Sequence, residues 1–266
     1  LPEGPEVKLF VDKINDNYLN KAVKNIEVLS GRYLKKPIEN LFVLKGRKLK
    51  EISCKGKFIY FNFDDEYFVF NTLGMTGSWS ANKNKQSRIE IEFKDTSKLY
   101  FSDTRNFGTF QIKSKVELDK KLKSIGFDML SNPPSIEDFI KVLRKRNHKN
   151  ICEVLMNQNI ISGVGNYLKA ESLWYSRINP HAKVENLTDI NLDMLYKAII
   201  YTINKSYQSQ GATIKSYYTF DGEAGSSSHD FVVYGKFKDY NGDEVIKEET
   251  LDKRTTHWSP ARQTII

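Results

Sequence analysis

The sequence predicts an α+β protein: an N-terminal helix and a β-sandwich, then a helical region that finishes in β-hairpins. Three observations carry that prediction. Val7, Phe10, Val11 and Ile14 recur at helical spacing, whereas Arg88-Ile89-Glu90-Ile91-Glu92-Phe93-Lys94 alternates apolar and charged residues with period two. Between the strand-rich and helix-rich halves stands Ser131-Asn132-Pro133-Pro134. Its prolines lack donors and hold the preceding residues extended, so neither a helix nor a central strand runs through it.

The elements follow in order. Pro5 is tolerated in the first turn of the opening helix, where its missing N–H has no partner to lose. Lys57 to Phe63 and Tyr67 to Leu73 read as buried strands of the sandwich. After the Asn-Pro-Pro break, Ser135 is placed to cap a helix holding Ile136, Phe139, Ile140 and Leu143. Further helices are expected near Asn150 to Gln158, over Asn166 to Ser176 and over Leu192 to Tyr207, with a tight glycine turn at Ile161-Ser162-Gly163-Val164-Gly165. In the tail, Phe231 to Tyr240 and Glu244 to Lys247 flank Asn241-Gly242, the signal of a type I′ hairpin, and a second hairpin is expected to turn at Leu251-Asp252-Lys253. Gly222 to Ser228 reads as a loop. The expected organisation is residues 1–130, 131–230 and 231–266, the last belonging to the second domain.

Composition limits the function classes. Forty-one Lys and Arg against thirty-three Asp and Glu give a net charge of +8 in 266 residues, which favours a polyanionic partner. Cys54 and Cys152 stand alone and in no CxxC pattern, so neither a disulfide framework nor a cysteine metal site is expected. No apolar run approaches the roughly 20 residues needed to span a bilayer, so a soluble intracellular protein without membrane contact is expected.

Pro2-Glu3-Gly4-Pro5-Glu6 is the stretch with the most chemistry. A free N-terminal proline is a secondary amine whose pKa of about 8 leaves a useful neutral fraction at physiological pH, able to attack an aldehyde-like carbon. Glu3 and Glu6 beside it are suited to acid and base work. Leu1 as written acylates that nitrogen, so the chemistry requires its removal. Read by itself, such a stretch also serves as an ordinary helix start.

Pro2-Glu3-Gly4-Pro5-Glu6-Val7 resembles the signature of the formamidopyrimidine-DNA glycosylase and endonuclease VIII superfamily, and further matches follow in order along nearly the whole chain. Lys55-Gly56-Lys57 is similar to the family's phosphate-contacting turn. Leu73-Gly74-Met75-Thr76-Gly77-Ser78 and Asp103-Thr104-Arg105-Asn106-Phe107-Gly108 resemble its two DNA wedges. Met156-Asn157-Gln158 through Gly163-Val164-Gly165-Asn166-Tyr167 resembles its helix-two-turn-helix, where a glycine turn and a helix start offer N–H groups to a phosphate. The tail lacks the four cysteines of the bacterial zinc finger, with Ser259 and Arg262 near two of the expected positions, and is similar to the zincless finger of the endonuclease VIII-like branch.

That resemblance implies a bifunctional DNA glycosylase and AP lyase acting on double-stranded DNA with oxidised bases or abasic sites, as a monomer, with no cofactor and no metal. Pro2 is the expected nucleophile, with Glu3, Glu6 and Lys57 completing the catalytic set. Met75, Phe107 and Asn106 are the expected wedge residues, and Asn166, Gly165, Arg254 and Lys55 the expected DNA contacts. Asn106 and Thr72 stand where bacterial enzymes usually carry Arg and His, and Tyr217 to Asp230 matches the loop that recognises 8-oxoguanine. Together with the finger, this implies a preference for oxidised pyrimidines and hydantoins. The alternatives are a catalytically inactive damaged-DNA-binding protein of the same fold and, more remotely, an RNA-associated protein sharing the helix-two-turn-helix.

Overall fold

Pro5 stands in the first turn of helix α1 (Gly4–Tyr18), and the stripe Val7, Phe10, Val11 and Ile14 is buried as its spacing predicts. The computed structural model describes residues 2–211, 220–221 and 231–266. They form two units: one holds the chain as far as Ser124 together with 210–211 and 220–221, the other Ile125–Ser209 and 231–266.

The first unit contains two four-stranded antiparallel sheets. One is β1 (Val23–Val28), β6 (Ser87–Phe93), β7 (Lys98–Asp103) and β5 (Gly77–Ser80), in that order. The other is β2 (Leu49–Lys55), β3 (Phe58–Phe63), β4 (Tyr67–Thr72) and β8 (Thr109–Lys113). The alternation in β6 sends Ile89, Ile91 and Phe93 to the core, where they join Phe61, Phe63, Val69 and Trp79 in one cluster that also takes in the stripe of α1. Phe61 and Trp79 meet at 5.0 Å between ring centroids. Each such buried side chain contributes about 1.5–3 kcal/mol. The expected sandwich with an N-terminal helix is therefore present. It is completed by elements the sequence reading did not foresee: α2 (Lys115–Ser124) and 3-10 turns at Gly31–Leu34 and Leu41–Leu44.

The chain passes into the second unit before the Asn-Pro-Pro break. β9 (Phe127–Asp128) pairs in parallel with β10 (Ile161–Ser162), and the Gly126 and Phe127 amides donate to the Gln158 and Ile160 carbonyls. A Cβ on Gly126 would lie 2.3 Å from the Ile160 carbonyl oxygen, so only glycine permits this approach. The predicted helices follow as α3 (Ile136–Arg144), α4 (Ile151–Met156), α5 (Asn166–Tyr175) and α6 (Asp189–Gln208). Ser135 caps α3 by accepting from the Asp138 amide, and Thr188 caps α6, starting it earlier than its apolar pattern indicates.

In the tail, the hairpin expected at Leu251–Lys253 is present as β11 (Ile246–Glu249) and β12 (Thr255–Trp258). The type I′ hairpin expected at Asn241-Gly242 is not. Only Lys238 and Glu244 form a bridge there, and Gly242 has positive φ while Asn241 does not. The reason is competition for the backbone. Glu171 takes the amides of Val232, Val233 and Tyr234, and Asp239 accepts from the Asn241 and Asp243 amides in a side-chain-directed turn. Most of the loops 217–230 and 222–228 lies outside the described residues; Phe220 and Asp221 are described, the former edge-on to Tyr18 at 6.2 Å.

Candidate active site and nucleic-acid interface

Pro2, Glu3 and Glu6 are all buried at the start of α1, with Glu3 2% and Glu6 0% exposed. Glu3 is the residue before the helix, in extended conformation, and its amide donates to Glu6 Oε2 at 2.8 Å. The Glu6 side chain thus reaches back to the helix start and fixes the backbone on which Pro2 and Glu3 are carried. Three of the four expected catalytic residues are brought together by one helical turn. The fourth, Lys57, occupies the two-residue turn between β2 and β3, partly exposed. Gly56 at the first turn position has φ +58°, the backbone that a hairpin with a positive-φ first residue requires. Lys55, expected to contact DNA, donates from Nζ to the Leu122 carbonyl in the last turn of α2 at 2.9 Å.

The two loops expected to act as wedges are bound to one another through Asp103, which is 2% exposed. Its carboxylate accepts from the Thr76 hydroxyl in the first loop, and from the Arg105 and Gly108 amides in the second, the last at 2.7 Å. Gly74 has φ +59°, and a Cβ there would stand 2.8 Å from the Gly108 nitrogen. Phe107 is 53% exposed and Met75 half-buried. Arg105 links them: its Nη1 lies 3.0 Å from Met75 Sδ and its guanidinium 4.9 Å from the Phe107 ring centre. The sequence reading named the loop but missed Arg105. No local sequence signal marks it, because its link to Met75 exists only once the two loops meet. Asn106, in left-handed conformation at φ 55°, accepts from the Arg32 amide through Oδ1 at 3.4 Å. Thr72 shares a 2.8 Å hydroxyl contact with Thr109.

In the second unit, Gln158 braces the glycine turn, donating to the Val164 carbonyl at 2.8 Å and accepting from the Gly163 amide at 3.0 Å. Gly163 has φ +90°. Gly165 precedes α5 and Asn166 begins it, so both stand at the positive end of a helix long enough to carry a useful dipole. Asn166 Nδ2 donates to the Thr255 carbonyl at 2.8 Å, and its buried Oδ1 has no hydrogen-bond partner among the described residues. Arg254, exposed, is the residue before Thr255 at the base of the β11–β12 turn. Asn166, Gly165 and Arg254 are therefore brought to one place.

The finger residues do not fit a zinc ion. Ser259 and Arg262 supply no thiolate, Arg262 lies flat on Trp174 at 3.9 Å, and among the described residues no group of three His, Cys, Asp or Glu is arranged to hold a metal. Hydrogen bonds occupy this region instead. Trp174 Nε1 donates to Asp239 Oδ2 at 2.8 Å, the Ser259 amide to Gln263 Oε1 at 2.8 Å, and Trp258 Nε1 to Glu248 at 2.7 Å. Burial pushes the Asp239 carboxyl up, but the bonds from Trp174 and the turn amides outweigh it and leave it below the usual carboxylate range.

A helix-two-turn-helix and a sandwich with a buried Pro-Glu at the start of its first helix define a class of DNA-repair fold, and comparison with known proteins places the chain in it. The model of the formamidopyrimidine-DNA glycosylase N-terminal domain matches residues 1–110, and that of the formamidopyrimidine-DNA glycosylase H2TH domain matches residues 125–218. The formamidopyrimidine-DNA glycosylase of Wolbachia pipientis from Culex pipiens is 32% identical over 242 residues, 89% of each chain. That of Ligilactobacillus salivarius is 27% identical over 100% of this chain and 99% of its own. Among solved structures, a Lactococcus lactis enzyme variant in complex with Fapy-dG DNA superimposes with a TM-score of 0.86 at 26% identity, covering 99% of this chain and 100% of that one. The Thermus thermophilus protein shares the fold at a TM-score of 0.87 and 23% identity, over 98% of each chain. The chain belongs to the formamidopyrimidine-DNA glycosylase family.

Proposed function

We propose that this protein is a DNA glycosylase with AP lyase activity that removes oxidised bases from double-stranded DNA, acting as a monomer. The observation that carries this reading is the buried Pro2-Glu3-Glu6 arrangement at the start of α1. The Lactococcus lactis relatives were crystallised with DNA containing Fapy-dG, an abasic site or its THF analogue, which supports damaged DNA as the partner here.

A base inside the duplex is out of reach, so the nucleotide is rotated out at a cost of a few kcal/mol, least for a poorly stacked lesion. Met75 fills the vacated space and Phe107 enters beside the opposite base, offsetting that cost by kinking the duplex. Asn166, Gly165, Arg254 and Lys57 hold phosphates without reading sequence. The neutral Pro2 nitrogen, freed of residue 1, attacks the sugar C1′. The bond to the base breaks with protonation, the ring oxygen takes a proton with help from Glu3, and an iminium forms between Pro2 and C1′. That cation acidifies the 2′ hydrogen; its removal expels the 3′ phosphate and a second elimination expels the 5′ phosphate. Glu6 holds the backbone carrying Pro2 and Glu3. Zincless finger and Asn106 together favour oxidised pyrimidines and hydantoins, with formamidopyrimidines included.

The test is borohydride trapping. Protein beginning at Pro2, mixed with duplex containing thymine glycol or an abasic site, is expected to form a covalent adduct. Glu3→Gln is expected to slow adduct formation by about 10²–10⁴-fold. Lesion binding without any adduct would replace this reading with that of a damaged-DNA-binding protein that has lost its chemistry.

A further inference from the structure

We infer that the groove between the 3-10 turn Gly31–Leu34 and β8 binds backbone phosphates of the undamaged DNA strand. The inference rests on the reading above, in which Phe107 enters beside the opposite base.

The turn and the second wedge loop are built as one piece. Gly31 has φ +81°, and a Cβ there would lie 2.4 Å from Asn106 Oδ1 and 2.7 Å from Arg88 Cδ, so only glycine fits. The Arg32 amide donates to Asn106 Oδ1, and Tyr33 OH donates to the Gly108 carbonyl at 3.0 Å. Arg88 Nε completes the junction by donating to the Asp103 carbonyl at 2.7 Å. Wherever the wedge goes, the turn goes with it.

Beside that junction an open cavity of about 510 Å³ runs along β8, and its polar wall is Arg32, Lys36, Glu39, Gln111 and Lys113. Lys113 pairs with Glu117. Arg32 and Lys36 have no carboxylate partner among the described residues, and Arg32 is steadied over the Tyr33 ring at 5.0 Å. The surrounding segment 30–48 carries six Lys or Arg and one carboxylate, Glu39. Two unpaired cations on a rigid wall suit a phosphate backbone, which a guanidinium and an ammonium contact without regard to sequence. β8 begins directly after Gly108, so the groove adjoins the loop that carries Phe107, and on the reading above the strand beside that loop is the undamaged one. Asn106 carries no charge of its own, and this wall supplies cations next to it.

The experiment compares wild type with the Arg32→Ala/Lys36→Ala double variant on a duplex holding one tetrahydrofuran site. The same duplex is also made with uncharged methylphosphonates in the undamaged strand opposite the lesion. Both substituted side chains point to solvent or the groove, and an unchanged Tm verifies folding. The variant is expected to bind the ordinary duplex about tenfold more weakly near physiological salt, with the slope of log K against log salt shallower by about 1–2, roughly 0.9 per phosphate lost. It is also expected to be indifferent to the methylphosphonates that weaken wild type. A variant that keeps the wild-type slope, or stays sensitive to those methylphosphonates, overturns the assignment, as does sensitivity confined to methylphosphonates in the lesion strand. If wild type binds the tetrahydrofuran duplex no better than the same duplex without the lesion, the wedge reading itself has failed, and this comparison involves neither the variant nor any methylphosphonate.

Discussion

Lys169 Nζ lies 2.6 Å from Asp252 Oδ2, and the two side chains are 0% and 2% exposed. A fully buried lysine is tolerated only when paired, and this one ties the first turn of α5 to the turn between β11 and β12. Asp252 also accepts from the Thr250 hydroxyl, whose oxygen shares a 2.6 Å contact with Thr256. Together with the bond from Asn166 to the Thr255 carbonyl, the pair fixes Arg254 relative to the start of α5.

Breaking this pair on one side leaves a buried charge alone. Lys169→Met is expected to destabilise the second unit by about 3–5 kcal/mol, whereas Lys169→Met with Asp252→Leu recovers much of the loss, because removing both charges also removes their desolvation cost. Chemical denaturation followed by the fluorescence of Trp174 and Trp258 measures this. Equal losses in the single and double variants would show that packing, not charge, is what matters there.

The proposed phosphate contacts predict a separate signature. Arg254→Ala and Asn166→Ala are each expected to weaken binding uniformly across DNA sequences, and Arg254→Ala to lower the salt slope by about 1. Titrations of one lesion duplex at several salt concentrations distinguish them: loss of a neutral contact at Asn166 lowers affinity and leaves the slope in place.

Much of this site was legible in the sequence because its chemistry is local. Pro2, Glu3 and Glu6 lie within one helical turn, and Gly163 to Asn166 form a single turn and helix start, so spacing alone places them together. What the sequence hid depends on distant partners. Glu171 withdraws three amides from the segment after Phe231, and no local pattern announces that a carboxylate some sixty residues earlier will cancel an Asn-Gly hairpin. The bond from the Lys55 ammonium to a carbonyl of α2 depends on a helix that the sequence reading did not foresee. Arg105 gains its meaning only once Met75 arrives from another loop.

Acid is expected to loosen the finger. The Asp239 carboxyl is held below its usual range, and that of Glu248 likewise, by bonds from His181 and Trp258 against a desolvation that acts the other way. Their unfolded forms bind protons at higher pH than their folded forms. The stability they contribute is therefore complete above the ordinary carboxylate pKa of about 4 and is lost as pH falls through the lower folded values. Asp239→Asn removes one of these carboxyls while keeping its shape, so the variant is expected to be less stable at neutral pH and less sensitive to acid. Tryptophan fluorescence against pH reads both. An acid transition unchanged by the substitution would exclude Asp239 as its source.

Cys152 is fully buried, donates from Sγ to the Pro180 carbonyl at 3.4 Å, and burial pushes its thiol up to about 12. Since the thiolate is the reactive form, Cys152 is expected to resist alkylation in the native protein and to react once the chain is unfolded. Mass spectrometry after iodoacetamide at neutral pH locates the modified residue, and rapid native labelling of Cys152 would mean that the α4 region opens far more readily than its packing implies.

Asp103 offers the sharpest test of the wedges, because a single carboxylate holds both loops. It accepts from Thr76 on one loop and from Arg105 and Gly108 on the other, and hydrogen bonds to a charged group contribute about 1.5–3 kcal/mol each where they are buried. Asp103→Asn keeps the size but replaces one acceptor oxygen with a donor that faces an amide or a hydroxyl. The loops then lose their common anchor while Pro2, Glu3 and Glu6, carried on α1, stay in place. Cleavage at a preformed abasic site, which has no base to rotate out, is expected to fall less than excision of a damaged base, for which Met75 and Phe107 must enter the stack together. Single-turnover rates on the two substrates measure the difference. Equal losses on both would mean that Asp103 acts on the sandwich as a whole, and the linkage between the two wedges would then have no separate part in opening the duplex.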